Sequence, residues 1–349
     1  MDVSSVSHHL VFAVLLLLGA ISVTYCMLKM QIIAAPNHRS SHDEPTPSSG
    51  GVAIVLITTA GFLYLGFFFD FQKGLLTQMI GLTVGSLAVA FVGFIDDLGR
   101  LPNFKVKFSS QIFAVLILFG GDLVFDKLAL PFVGLIDLGW WGYVVTFLWV
   151  IGVTNAFNFM DGLNGMAGGT AAVAALFFAL IAFDQNAVPV FVLSYVVLAA
   201  VLGFLPFNFP RARIFMGDVG SQFLGFLFAG LGVLAAGSSD VQIPFWVMPL
   251  IFFHFIFDTS FTFLRRLFAG EVVTDAHRSH LYQLVNRMGW SHSKVSIFYA
   301  SMAILQSLAA IWLMSSSASR PDLVFLFFFI VYTVFTLIVI RDAQAKKII

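Results

Sequence analysis

Apolar residues gather along this chain into stretches close to the ~20 residues that an α-helix needs to cross the hydrocarbon core of a bilayer. The stretches lie at approximately 9–30, 51–69, 75–95, 108–125, 140–157, 169–184, 187–207, 220–236, 243–264, 295–315 and 321–340. Polar segments separate them, and no linker rich in Pro, Gly or Ser marks off a second body. The pattern predicts an all-α integral membrane protein with ten or eleven transmembrane helices, in a single polytopic domain over 1–349; the 140–184 region admits a second partition. The connection 125–141, FDKLALPFVGLIDLGWW, behaves differently. Its short apolar pieces alternate around turn residues, which predicts a small hairpin with Trp140 and Trp141 at the membrane interface. No internal repeat is evident, which argues against a transporter built from inverted repeats.

Composition strengthens the membrane assignment. The 349 residues are 59% hydrophobic and 10% charged, with 42 phenylalanines and a mean hydropathy of +0.96. A water-soluble domain could not clothe its surface from so few charged side chains. The N-terminal MDVSSVSHHL has no Lys or Arg before the first apolar run, so that run is expected to be a retained span rather than a cleaved signal peptide. The single cysteine, Cys26, excludes an intrachain disulfide.

A formal net charge of zero hides an asymmetry. The loops after odd-numbered spans hold Lys29, Arg39, Arg100, Lys105, Lys107, Arg211, Arg213, Arg265, Arg266, Arg278, Arg287, Lys294, Arg341, Lys346 and Lys347. The opposite loops hold only Lys73, Lys127 and Arg320, so the division of the 18 basic residues is 15 against 3. Basic residues stay on the cytoplasmic side of a membrane protein. The N-terminus is therefore expected outside and the C-terminus in the cytoplasm.

The same cytoplasmic face carries the polar clusters, in loops at about 31–50, 96–107, 155–168, 208–219 and 265–294. Asp96 and Asp97 end an apolar helix, where a carboxylate opposes the helix dipole. The cost of a charge rises to about 2.5–3.5 kcal/mol at the bilayer centre. With Arg100, Lys105 and Lys107 following, the pair reads as a divalent-ion or phosphate site rather than a solvated helix end. Asn155, Asn158 and Asp161 recur every three residues, which would place them on one helical face, with Gly162 and Gly165 allowing backbone to approach a ligand. The plainer alternative is a helix exit capped by Asn and Gly. Asp218, in Met216-Gly217-Asp218-Val219-Gly220-Ser221, stands just before another span. It suits either a simple N-cap or an anion site at a helix N-terminus, with Arg211 and Arg213 nearby.

His277, Arg278, Ser279 and His280 fit either a surface amphipathic helix or a clamp for a pyrophosphate. His8, His9, His254 and His292 stand alone and read as structural. Asp258, inside a span, is expected to pair with Arg265 or another polar group of the bundle. No Cys–His spacing suggests zinc, and no dinucleotide or Walker motif occurs. An acid-rich set without soft ligands favours Mg2+, with Mn2+ as the alternative. No nucleic-acid partner is expected.

Taken in order, Asp96-Asp97, Asn155-x-x-Asn158-x-x-Asp161-Gly162, Asn208-Phe209-Pro210, Met216-Gly217-Asp218-x-Gly220-Ser221 and the late His-rich loop resemble the polyprenyl-phosphate N-acetylhexosamine-1-phosphate transferases, glycosyltransferase family 4. The resemblance runs from about residue 36 to 290. Pro36-Asn37-His38-Arg39-Ser40-Ser41-His42 and His277-Arg278-Ser279-His280-x-Tyr282-Gln283 look most like the branch that initiates O-antigen and related surface polysaccharides. Two positions depart from the pattern: Asn164 stands where the family often has a second Asp, and Ser48 and Ser49 stand where a basic residue is usual.

The resemblance implies transfer of a sugar 1-phosphate from a UDP-sugar to undecaprenyl phosphate at the bacterial inner membrane, on its cytoplasmic face. It implies Asp96, Asp97, Asp161, Asp218 and His277 as candidate catalytic groups and Asp218, Asp161 and Asp97 as metal ligands. Asn155, Asn158, Lys107, Asn208, Arg211, Arg213, Arg278 and His280 would bind substrate, and a homodimer is expected. Two rivals, an ion-coupled transporter and an intramembrane prenyltransferase, fit less well. The first would put acidic residues in mid-span; the second leaves the Gly-Asp-x-Gly-Ser and His-Arg-Ser-His elements unexplained.

Overall fold

The computed structural model describes residues 3–30, 33–34, 46–69, 71–101, 104–130, 134–237, 243–273, 277–316 and 320–349. The segment Pro36 to His42, read above as part of the first cytoplasmic loop, lies outside the described residues.

Each apolar stretch forms a helix, because a chain in lipid must satisfy every backbone N–H and C=O within the segment. In chain order the helices are α1 (Val3–Met30), α2 (Gly51–Phe68), α3 (Lys73–Asp97), α4 (Phe104–Gly120), α5 (Trp141–Phe159), α6 (Met166–Asp184), α7 (Val188–Asn208), α8 (Gly217–Gly237), α9 (Val247–Ile251), α10 (Phe253–Phe268), α11 (Leu281–Arg287), α12 (His292–Ser315) and α13 (Pro321–Ala345). Among the described residues, nine of these are long and apolar enough to cross a membrane: α1, α2, α3, α5, α6, α7, α8, α12 and α13. The helix α4 has 17 residues. The stretch 243–264, expected as one unbroken span, is interrupted. Phe252 leaves helical geometry (φ −97, ψ 15) and divides α9 from α10.

The predicted hairpin is present. Strands β3 (Lys127–Leu130) and β4 (Gly134–Asp137) pair antiparallel, with Lys127 opposite Asp137 and Leu130 opposite Gly134. Trp140 and Trp141 follow it, exposed and packed edge to face. A second, two-residue pairing of β1 (Ile33–Ala34) with β2 (Thr46–Pro47) closes the first loop and was not expected.

The helices are arranged around α8. In its most apolar window 94% of the residues are buried, against 22% for α13. The apolar side chains of α13, among them Phe327, Phe329, Ile330 and Leu337, are exposed on the outside of the bundle, where lipid would lie. Lipid tails are as apolar as the helices, so burial of apolar area does little to drive helices together in a membrane. Close backbone packing and interhelical hydrogen bonds do more. Glycines supply the close packing around α8. Gly51 of α2 lies against the backbone of Gly220, and a Cβ on Gly93 of α3 would come within 2.6 Å of the Asp218 carbonyl. Gly225 sits equally close to Thr154 of α5. These contacts fix the N-terminal end of α8 against the ends of α3 and α5.

Candidate active site

The first N–H groups of any helix lack intrahelical acceptors. In α8 two of them are satisfied from another span: the Asp97 carboxylate accepts the Asp218 N–H at 2.9 Å and the Val219 N–H at 3.0 Å. Asp97 thereby caps α8 and fixes where Asp218 stands. The Asp218 carboxylate accepts from Asn158 Nδ2 at 3.0 Å and forms an ion pair with Lys107, whose ammonium also pairs with Asp96. Asn158 Nδ2 lies 2.9 Å from Ser221 Oγ as well.

One turn deeper along α5, Asn155 donates to Gln111 Oε1 at 2.8 Å, while Gln111 Nε2 reaches Asn155 and Gln222, each at 3.3 Å. Gln222 Nε2 is buried without a hydrogen-bond partner among the described residues. Gln111 and Gln222 do not stand out in the sequence. The available signal was an amide side chain within an otherwise apolar run.

The helical face predicted for Asn155, Asn158 and Asp161 holds for the two asparagines only. The helix α5 stops at Phe159, and Asp161 occupies the turn beyond it. Burial, and after it the negative charge of Asp218, pushes the Asp161 carboxyl well above the usual carboxylate range.

The segment before α2 packs onto the same place. Pro47 C=O accepts from Phe215 N–H at 2.7 Å, and Gly50 and Gly51 N–H donate to the Phe215 and Met216 carbonyls at 2.9 and 2.8 Å. Gly217 has φ +73, and a side chain there would strike the Ser48 carbonyl and the Asp97 carboxylate. The Ser48 and Ser49 hydroxyls are buried and unpartnered among the described residues. Asn208 accepts the Gly165 N–H at 2.7 Å and donates to the Ile214 carbonyl at 2.9 Å, so both ends of its amide are spent on backbone. Arg211 and Arg213 are exposed. Arg213 lies over the Phe207 ring, 4.8 Å from its centroid, and neither arginine pairs with Asp218.

The late loop is extended at 277–280, not an amphipathic helix, and leads into the short α11. His277 is drawn down to about 4, chiefly by burial and then by His280, Arg266 and Arg265. It is neutral at pH 7 and offers a hydrogen bond rather than a charge. Arg278 is half-buried, with its Nε unpartnered among the described residues. His280 is buried, N-caps α11 and rests on Asp258 at 3.2 Å. The loop reaches α5 through Tyr282, whose hydroxyl donates to the Phe159 carbonyl at 2.9 Å.

Among the described residues, no three His, Cys, Asp or Glu side chains gather around one point as a metal cage. Of Asp97, Asp161 and Asp218, Asp97 is turned to the backbone of α8. The site is an open cluster of hard oxygen donors with one lysine among them.

Carboxylates and amides thus collect at the ends of α3, α5 and α8, three helices long and apolar enough to cross a membrane, and the loop that carries Arg278 reaches α5 through Tyr282. The family model described as Glycosyl transferase family 4 matches residues 79–236, which hold Asp96, Asp97, Lys107, Asn158, Asp161 and Asp218. The probable undecaprenyl-phosphate N-acetylglucosaminyl 1-phosphate transferase of Bacillus subtilis is 34% identical over 295 residues, covering 82% of this chain and 80% of that protein. The decaprenyl-phosphate N-acetylglucosaminephosphotransferase of Mycobacterium leprae is 30% identical over 291 residues, covering 76% and 73%. The phospho-N-acetylmuramoyl-pentapeptide-transferase of Enterococcus faecalis is 27% identical over 284 residues, covering 77% and 84%. The chain belongs to glycosyl transferase family 4, within the polyprenyl-phosphate N-acetylhexosamine-1-phosphate transferase superfamily.

Proposed function

We propose that this enzyme transfers an N-acetylhexosamine 1-phosphate from its UDP derivative to undecaprenyl phosphate, at the cytoplasmic face of a bacterial inner membrane. The first sugar to test is N-acetylglucosamine, because the B. subtilis and M. leprae relatives are named for it. The lipid-linked product would start an O-antigen or another surface polysaccharide. The observation that carries this reading is the grouping of Asp96, Asp97 and Asp218 around Lys107, with Asp161 beside Asp218, at the ends of membrane helices, where a bilayer-held phosphate would meet a water-borne nucleotide.

In the reaction an oxygen of the lipid phosphate forms a bond to the phosphorus that carries the sugar. The bond from that phosphorus to the bridging oxygen breaks, and UMP leaves with the oxygen. A phosphate monoester with its second pKa near 6 is largely a dianion at pH 7 and needs no base. The protein's contribution is therefore positioning and charge. Asn158 and the α8 cap hold Asp218 in place, and Arg278 and neutral His277 present donors to phosphate oxygens.

Three carboxyl groups, those of Asp96, Asp97 and Asp218, face one contacting lysine, and the charge of Asp218 reaches the buried Asp161 as well, at a site meant for two anionic substrates. All are hard oxygen donors. Mg2+, or Mn2+, fits such a set because it takes one or two carboxylates and fills its shell with water and substrate phosphates. Asp218 and Asp161 would hold it, with Asp97 acting through the α8 backbone. Such an ion would supply positive charge against the diphosphate, and Lys107, which pairs with Asp96 and Asp218, would offer its ammonium to a phosphate oxygen.

Purified protein in lipid nanodiscs, given undecaprenyl phosphate and a panel of UDP-sugars, is expected to release UMP from UDP-N-acetylglucosamine only when lipid phosphate and Mg2+ are both present. No UMP from any UDP-N-acetylhexosamine would overturn the proposal. A covalent aspartyl intermediate trapped without lipid acceptor would overturn the direct-attack mechanism.

A further inference from the structure

We propose that Asp258 of α10 is a positioning residue, gripping the loop 277–280 and, through Tyr282, the turn that carries Asp161. Asp258 is 1% exposed, yet its carboxylate is surrounded by donors. It accepts the Leu281 N–H at 2.9 Å, the Tyr282 N–H at 3.1 Å and the Tyr299 hydroxyl at 2.8 Å. His280 Nδ1 lies at 3.2 Å and Thr262 Oγ1 at 3.3 Å. An apolar side chain of similar volume would leave the Leu281 and Tyr282 N–H groups and the Tyr299 hydroxyl without an acceptor. What a carboxylate adds is direction, because it aims the first N–H groups of α11.

The helix α11 has seven residues, too few to hold its own shape. Its place is set by the cap. Seven positions further along the same helix, Arg265 donates to the Ser279 carbonyl at 2.8 Å, so α10 holds the segment 279–282 at two points. The hold continues across the site. Tyr282 donates to the Phe159 carbonyl at 2.9 Å, and a Cβ on Gly162 would collide with the Tyr282 hydroxyl, so the Asp161-Gly162 turn is seated on that ring. Moving the Asp258 carboxylate would shift His277 and Arg278 on one side and Asp161 on the other.

The activity arm of the test rests on the proposed transferase reaction; the structural arm does not. Asp258→Asn keeps the shape but turns a donor toward one of the two backbone N–H groups. In full-length protein in nanodiscs, amide exchange over 277–287 is expected to speed up by about tenfold, with α3 and α8 unchanged. The kcat for UMP release is expected to fall by about tenfold with KM for UDP-N-acetylglucosamine moving less than threefold. In a His277→Ala background the same substitution is expected to cost less than about threefold, because both changes act on one loop. If Asp258→Asn does not fold, Tyr299→Phe removes one donor, keeps the ring and is expected to show the same pattern at about threefold. Unchanged exchange over 277–287 in a folded variant, or full additivity with His277→Ala, would overturn the inference. If the wild type releases no UMP, the transferase reading fails while the exchange result still decides the role of Asp258.

Discussion

At the scale of single residues, Asp218 carries the most. It takes Asn158 and Lys107 on its side chain and Asp97 on its backbone. Asp218→Asn is expected to reduce UMP release by at least about a thousandfold, the loss typical of a preorganised charge at the reacting centre. Its thermal unfolding should stay close to wild type; full activity would remove it from the site. His277 gives a pH signature. Unfolded, it binds a proton below about 6.5, while in the folded protein it does so only near 4. Between those values the unfolded chain holds more protons, so this histidine's contribution to stability is lost as pH falls from 6.5 towards 4. Unfolding temperatures measured across that window should slope more steeply in the wild type than in His277→Gln; equal slopes would refute the assignment. The charged members of the site were legible in the sequence, because a carboxylate beside an apolar run is costly to keep near lipid and so marks a place where charge is used. The double duty of Asn208, the burial of His280 and the hold of Asp258 on α11 were not, since each joins partners distant in sequence.

At the scale of elements, the site depends on how closely α3 and α8 approach. Gly93→Ala adds one methyl where the Asp218 carbonyl stands 2.6 Å away, and removes no chemical group. It is expected to lower kcat by about a hundredfold through displacement of the first turn of α8, and UMP-release kinetics would show it. A fully active variant would mean that the seam yields without moving Asp218. Most helices could be read from apolar length alone, and the 127–137 hairpin from its turn residues. The break at Phe252 could not, because an apolar run looks the same whether or not its ladder is continuous. The end of α5 was equally hidden. The three-residue spacing runs on to Asp161, but the helix stops at Phe159 and the chain turns before Gly162.

At the scale of the whole molecule, 15 of the 18 basic residues fall on the side proposed to be cytoplasmic, which is the side the proposed function requires for the cluster around Asp218. In a Cys26→Ser background, a cysteine at Leu135 of the hairpin should react with an impermeant maleimide on intact cells. A cysteine at Arg211 should react only after permeabilisation, and labelling of both from one side would refute the orientation. The sheathing of α8 has a further consequence. A helix that never meets lipid is released from the demand to be greasy, and its tolerance for change is set by volume. In a saturation-mutagenesis library selected for function, α8 should accept small polar residues in place of Gly and Ala while rejecting large apolar ones. The outer helix α13 should show the reverse, taking bulk freely and refusing charge.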